Sequence, residues 1–218
     1  MADGDTWNLL LDREYEYHEV QPVVQEEGDG WVRYQDGRKY HLGNRLNRLD
    51  TRRWLKFQKS WFIHKPRPRK SEVKLHPAKY PEELIAEFIG FFTKPGMIVL
   101  DPMLGTGSSL LAALETGRSG VGIELQPKYA AIARQRLEAQ LAPSLPPSSE
   151  SELHQLRFRL LQGDAFQMTK MEIGDVDYCN TSPPYWDMLR AKGSETQKKR
   201  KEAGLDVHYS EDESDLGN

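Results

Sequence analysis

From residue 76 onward the chain alternates between two kinds of apolar pattern. Leu84, Ile85, Phe88, Ile89 and Phe92 recur at helical spacing, behind Pro81, Glu82 and Glu83 at the start and ahead of Pro95-Gly96 at the end. Proline at a first helical position and acids near the positive end of the helix dipole both favour that start. Met97-Ile-Val-Leu100 is a continuous apolar run, the mark of a strand covered on both faces. A glycine turn follows, then a helix from about Ser108 to Glu115, a strand over 120–124 and a helix over 127–140. Beyond a Pro/Ser loop at 143–151, residues 156–161 and 176–180 read as further strands. Strand and helix alternate, so the expected fold class is α/β, with a mostly parallel, doubly wound, Rossmann-like sheet of about four strands.

The segments on either side are patterned differently. Residues 1–32 carry little periodic signal. Trp31-Val-Arg-Tyr and Arg38-Lys-Tyr-His-Leu42 flank Gln35-Asp-Gly and read as a short hairpin turning at Asp36-Gly37. Residues 44–64 are helical or irregular, and Lys65-Pro-Arg-Pro-Arg-Lys70 is an extended basic linker, because its prolines disfavour helix. After Tyr185 the apolar periodicity stops. The expected organisation is an acidic arm plus a basic, aromatic N-terminal extension over 1–75, a core over 76–189, and a flexible charged tail over 190–218.

Composition narrows the function classes. The chain is 218 residues long, 38% hydrophobic, with one cysteine, Cys179. A lone cysteine excludes a disulfide framework and a multi-cysteine zinc site, so no metal is expected. The apolar run Leu84–Phe92 is interrupted by Glu87 and is too short to cross a bilayer. The acidic N-terminus lacks the apolar segment of a signal peptide. The expectation is a soluble, reduced, cytoplasmic protein with no membrane partner.

Charge is segregated. Residues 1–32 hold nine acids against Arg13, whereas 33–79 hold fifteen Lys or Arg against three acids. That local excess of cations is interleaved with Trp54, Phe57, Trp61 and Phe62. Such a segment suits a nucleic-acid surface, with cations on phosphates and rings against bases. It equally suits a solvated basic face whose aromatics form a small core, and charge alone does not decide between the two.

The chemistry-bearing residues gather at strand ends. The strand ending at Leu100 runs into Asp101-Pro-Met-Leu-Gly105-Thr-Gly107, placing a glycine turn at the carboxyl edge of a parallel sheet, where ligands bind. Glu124 ends the next strand, 23 residues after Asp101, where a carboxylate can accept both hydroxyls of a ribose. Leu110 stands where a dinucleotide fingerprint has its third glycine, which argues against a nicotinamide or flavin cofactor. Gly163-Asp164-Ala165 follows the third strand; Asp164 can meet an exocyclic amine or simply cap a turn. The fourth strand runs into Ser182-Pro183-Pro184-Tyr185. Its prolines stiffen the backbone; the Ser182 hydroxyl and Pro183 carbonyl can accept hydrogens from an amino group, and Tyr185 offers a ring for stacking.

Over residues 76–186 these motifs resemble the exocyclic-amine DNA methyltransferases, S-adenosylmethionine-dependent enzymes that modify N4 of cytosine or N6 of adenine. His76-Pro-Ala78-Lys-Tyr-Pro81-Glu-Glu-Leu resembles the family's motif before the first strand. Asp101 to Gly107, with Met103 where relatives often carry Phe, resembles its cofactor loop. The resemblance implies a Rossmann-like methyltransferase sheet. It assigns cofactor binding to His76, Ala78, Pro81, Asp101, Met103, Gly105, Thr106, Gly107, Glu124, Leu125, Asp164 and Ala165. It assigns catalysis to Ser182, Pro183, Pro184 and Tyr185. Serine at the first catalytic position leans toward N4 of cytosine, on double-stranded DNA, in a prokaryotic, nucleoid-associated restriction-modification setting.

In this chemistry Ser182 and the Pro183 carbonyl would accept the amine's hydrogens and localise its lone pair, with the base turned out of the duplex against Tyr185. Only 17 residues separate Asp164 from Ser182, so a target-recognition region would follow the catalytic motif. The 33 residues from Trp186 to Asn218 are too few for it and for the family's remaining strands. The expectation is therefore a truncated chain or one completed by a second polypeptide, methylating poorly by itself. Two rivals are an RNA guanosine N2-methyltransferase and a non-catalytic DNA-binding subunit of a split methyltransferase.

Overall fold

The computed structural model describes residues 8–18, 25–27, 29–33, 37, 39–62, 81–141, 153–184 and 195–207. In chain order the elements are β1 (Asn8–His18), β2 (Gln25–Glu27), β3 (Trp31–Arg33), β4 (Lys39–His41), α1 (Thr51–Phe57), α2 (Glu82–Phe92), β5 (Ile98–Asp101), α3 (Ser108–Glu115), β6 (Ser119–Glu124), α4 (Pro127–Leu141), β7 (Leu153–Gln162), a 3₁₀ turn (Ala165–Lys170), β8 (Tyr178–Cys179) and α5 (Glu195–Glu202).

The main sheet runs β1-β7-β6-β5-β8. Strands β7, β6, β5 and β8 are mutually parallel, as the α/β alternation requires. The apolar run of β5 is covered on both faces: Val99 packs under α2 and α3, while Leu100 is buried with Val121 and Ile123 of β6, Leu161 of β7 and Met171. One side of the sheet packs Phe158 and Leu160 against Leu110, Leu111, Leu114, Ala133 and Leu137 of α3 and α4. A second cluster joins Val99 to Ile85 and Ile89 of α2 and to Ala112 and Ala113 of α3.

Two segments depart from the sequence expectation. The acidic arm is not without structure: β1 adds an antiparallel edge strand along β7, with a register shift between Leu9 and Leu11. Its register sets Asp12 opposite Arg159 and Glu14 opposite Arg157. The charged tail is likewise ordered in part, with α5 running into Asp206, whose carboxylate meets Lys128 Nζ at 2.8 and 2.9 Å and the Tyr129 hydroxyl at 2.9 Å. The α5 end is closed onto this anchor by Arg200 Nε donating to the Asp206 carbonyl at 2.8 Å.

The N-terminal extension contains the expected hairpin, β3 with β4, extended by β2. Its aromatics resolve the open question of their role. Phe57 stacks on Phe91 at 4.1 Å between centroids and meets Phe88 edge-on at 5.0 Å; Phe62 lies 5.2 Å from Phe88, and Trp54 lies 5.9 Å from Phe91. These rings cover the outer face of α2, while Trp61 stays 65% exposed. Asn47, fully buried, fastens the same segment by donating from Nδ2 to the Phe91 carbonyl at 2.6 Å. At the same helix end the buried Arg118 donates to the Thr93 hydroxyl at 2.9 Å and to the Thr93 carbonyl at 2.8 Å, a cation where the helix dipole is negative. Helix α2 is thus held on both sides, and its first turn is fixed over the glycine loop. Among the described residues no helix is long and apolar enough to cross a membrane.

Candidate active site

Because β7, β6, β5 and β8 are adjacent and parallel, their carboxyl ends form one row. Asp164, Glu124, Asp101 and Ser182 follow those ends in that spatial order. Neighbouring strands lie about 4.8 Å apart, so the four residues are spread along a single edge rather than gathered at a point. An elongated ligand lying across the strand ends would meet them in turn.

Asp101 is 2% exposed and is turned toward its own loop. One oxygen accepts from the Met103 N–H at 3.1 Å and the other from the Ser109 hydroxyl. Burial raises its carboxyl above the ordinary value, and the Ser109 hydroxyl, Met103 N–H and Thr181 hydroxyl pull it back. Its place is that of a loop organiser. The loop then crosses β6, with the Leu104 N–H donating to the Ile123 carbonyl at 2.8 Å. Gly105 and Gly107 have φ of 59° and 88°, which side-chain-bearing residues rarely adopt. Met103 is half-buried, and Thr106 is buried.

Glu124, 7% exposed, is positioned by two backbone donors. Oε2 accepts from Gly105 N at 2.7 Å and Oε1 from Gln126 N at 2.8 Å. A carboxylate offers about four acceptor sites, so these bonds orient the group without exhausting it. Leu125 is half-buried beside it. Asp164 takes the capping role: Oδ1 accepts from Phe166 N at 2.9 Å at the start of the 3₁₀ turn, with Ala165 half-buried. Gly163 N donates to the Glu124 carbonyl at 3.0 Å, tying the Asp164 turn to the Glu124 strand end.

At the far end of the row, Asn180 N donates to the Leu100 carbonyl at 2.9 Å. Ser182 and Pro184 are half-buried and Pro183 is exposed. Asn180 Nδ2 is buried with no hydrogen-bond partner among the described residues. A buried unpaired amide of this kind costs about 1–3 kcal/mol, and a ligand acceptor arriving at the edge would relieve it. Cys179 lies within β8 and is exposed, with partial desolvation and the Asp101 carboxylate raising its thiol above the ordinary value. Pro81 caps the start of α2. His76, Ala78 and Tyr185 lie outside the described residues.

Several residues at this edge carry no local sequence signal. Glu82 accepts from the Ser108 hydroxyl at 3.0 Å and pairs with Arg136, whose other nitrogen donates to the Thr106 carbonyl. In the sequence Glu82 stands in the motif that opens α2 and at the positive end of its dipole, and Arg136 reads as one more cation on a helix. Their meeting depends on α2 and α4 flanking the loop, which no spacing along the chain reveals.

The chain is similar to known proteins over part of its length. The family model described as DNA methylase (N6_N4_Mtase) matches residues 15–135, a span that takes in Asp101 to Gly107 and Glu124 but stops short of Asp164 and Ser182. The type II methyltransferase M2.DpnII of Streptococcus pneumoniae is 42% identical over 65 residues, 30% of this chain and 24% of that protein. The orphan methyltransferase M.BamHII of Bacillus amyloliquefaciens is 30% identical over 138 residues, 61% of this chain and 49% of that protein. Among solved structures, TrmN from Thermus thermophilus aligns at 25% identity with a TM-score of 0.36, covering 50% of this chain and 32% of that one. The matched segments span less than half the length of these curated relatives. With more than half of its residues inside the family match, the chain belongs to the N6/N4 family of DNA methylases.

Proposed function

We propose that the protein binds S-adenosylmethionine along the carboxyl edge of its sheet and serves the methylation of an exocyclic amine in double-stranded DNA, with N4 of cytosine as the target. The observation that carries this reading is the buried Glu124 carboxylate, already oriented by the Gly105 and Gln126 N–H groups beside the glycine loop. Glu124 would take the ribose hydroxyls. Asp164 and Ala165 would take the adenine end, and the loop from Met103 to Gly107 would pass under the sulfonium. The motif of His76, Ala78 and Pro81 would close over the methionine tail. The orphaned Asn180 amide and the positive-φ glycines fit a polar ligand lying close to backbone at this edge.

When bound, S-adenosylmethionine supplies an electrophilic methyl group. The residues of this chain then have a positioning task. Ser182 Oγ and the Pro183 carbonyl accept the hydrogens of the target amine, which draws its lone pair out of conjugation and aims it at the methyl carbon. Pro184 stiffens the corner, and Tyr185 takes the place of the stacking lost by the turned-out base. No thiolate attack on the ring is required, in keeping with the place of Cys179 inside a strand. The relatives named type II methyltransferases support a restriction-modification setting.

The test is transfer of labelled methyl from S-adenosylmethionine to duplex DNA and to tRNA, followed by nucleoside analysis. Label on N4 of cytosine supports the reading. Label on N6 of adenine moves the target, and label confined to tRNA replaces it with an RNA methyltransferase. Cofactor and DNA binding without transfer fits a chain that needs a completing part, and only transfer that stays absent once that part is supplied points to a non-catalytic DNA-binding subunit.

A further inference from the structure

The glycine loop is soft by composition, since glycines at positive φ are held by little of their own. Within the loop Met103 N donates to Asp101 Oδ1 and Gly107 N to the Leu104 carbonyl, both at 3.1 Å, and three further anchors reach it from outside. Two of these lie on the sheet side: Leu104 N to the Ile123 carbonyl, and Gly105 N to Glu124 Oε2 at 2.7 Å. The third lies on the helix side. Arg136 of α4 donates from Nη1 to the Thr106 carbonyl and from Nη2 to Glu82 Oε1. Glu82, in the first turn of α2, also accepts from the Ser108 hydroxyl at 3.0 Å. Both charged side chains are largely covered, with Arg136 18% and Glu82 28% exposed, so solvent screens the pair less than a surface bridge. The same face of α4 carries Ala133 one turn earlier, and a Cβ built on Gly107 would stand 3.1 Å from the Ala133 Cβ. The loop is pressed against that face.

We infer that Arg136, backed by Glu82, is the positioning residue of the S-adenosylmethionine loop, fixing the Thr106 carbonyl on one side while Glu124 fixes the adjacent Gly105 N–H on the other. This rests on the proposed cofactor reading. The guanidinium suits the task because its planar fork reaches two acceptors in fixed directions, which an ammonium does not. Without it the Thr106 carbonyl loses its outside donor and the Thr106–Gly107 peptide keeps only the bond from Gly107 N to the Leu104 carbonyl at 3.1 Å, so the Gly105–Glu124 bond loosens and the ribose acid loses its orientation. Glu82 has a second consequence. It carries the first turn of α2, which begins after Pro81, into the same network.

The experiment uses the 218-residue chain and its Arg136→Met, Arg136→Lys and Glu82→Gln variants, with S-adenosylmethionine titrated by calorimetry and amide exchange followed at Gly105 without ligand. Arg136→Met should weaken binding roughly tenfold, the equivalent of one charged hydrogen bond. Lysine should fail to restore it, and the Arg136→Met/Glu82→Gln double variant should be no weaker than Arg136→Met alone. Exchange at Gly105 should accelerate while amides within β6 keep their protection. Binding by Arg136→Met within about twofold of the parent, or Gly105 exchange unchanged relative to β6, would overturn the assignment. Should Arg136→Met fail to fold, Arg136→Lys and Glu82→Gln carry the same two readouts. A parent chain that binds no S-adenosylmethionine would instead defeat the functional reading, and Gly105 exchange would still judge the positioning role.

Discussion

Glu124 Oε2 accepts the Gly105 N–H at 2.7 Å, so the carboxylate at the end of β6 and the glycine loop after β5 hold each other in place before any ligand arrives. Replacing Glu124 by Gln tests this directly. The amide presents an NH₂ to one of the two backbone donors, Gly105 or Gln126, and leaves a buried N–H without an acceptor. The expected result is a loss of about 1–3 kcal/mol of stability, read by urea unfolding, together with weaker S-adenosylmethionine binding. Unchanged values for both would show that the two backbone bonds matter little.

Gly122 lies opposite Asp101 in the register of β5 and β6, and a Cβ there would stand 2.6 Å from Leu104 Cδ2. Leu104 is buried in the core and opens the glycine loop, so Gly122→Ala should disturb fold and site together. Overpacking of this kind costs about 1–3 kcal/mol. Gly90 is the control. Nothing lies within 4 Å of its added Cβ, and alanine inside α2 should stabilise by about 0.5–1 kcal/mol. Thermal unfolding of the two variants should move in opposite directions.

Much of this architecture is written in the chain at short range. The run from Met97 to Leu100, the glycine loop, Glu124 and the amphipathic helices between them are local patterns, and the parallel core follows from them. The remainder depends on pairings distant in sequence. β1 belongs to an acidic segment with little periodic signal, and only its backbone pairing along β7 shows it to be a strand. Trp54, Phe57 and Phe62 could serve a nucleic acid or a core until α2 supplies Phe88 and Phe91 to pack against. Arg136 and Asp206 have no motif at all; only the fold gives them Thr106 and Lys128 as partners.

Asp206 makes the docking of α5 sensitive to acid. Partial burial works to raise its carboxyl, but the bonds from Lys128 and Tyr129 and their surrounding charge outweigh this and hold it below the ordinary carboxylate value. A depressed carboxyl contributes stability above its unfolded value and loses it as pH falls through the folded one. Exchange protection of α5 amides should therefore be complete at neutral pH and disappear on acidification through and below the usual carboxylate range. Asp206→Asn should lower that protection already at pH 7 and remove its acid dependence. Equal protection in parent and variant at pH 7 would contradict this.

Ser182 belongs to transfer rather than to cofactor binding in the proposed mechanism. Ser182→Ala should lower methyl transfer by about 100-fold or more, the scale of a lost proton-accepting group, in single-turnover assays. The affinity for S-adenosylmethionine should change by less than about twofold, below the tenfold expected from one lost charged bond. A variant that loses both in proportion would place Ser182 with the cofactor instead.

The central claim is that the row of strand ends from Asp164 to Ser182 is a sulfonium-nucleoside site organised by Glu124 and the glycine loop. Isothermal titration of S-adenosylmethionine into the parent chain, the Glu124→Ala variant and the Gly105→Val variant measures it most directly. One site per parent chain is expected, with no measurable heat of binding to either variant while both remain folded by circular dichroism. Absence of binding to the folded parent, or full affinity in both variants, would contradict it.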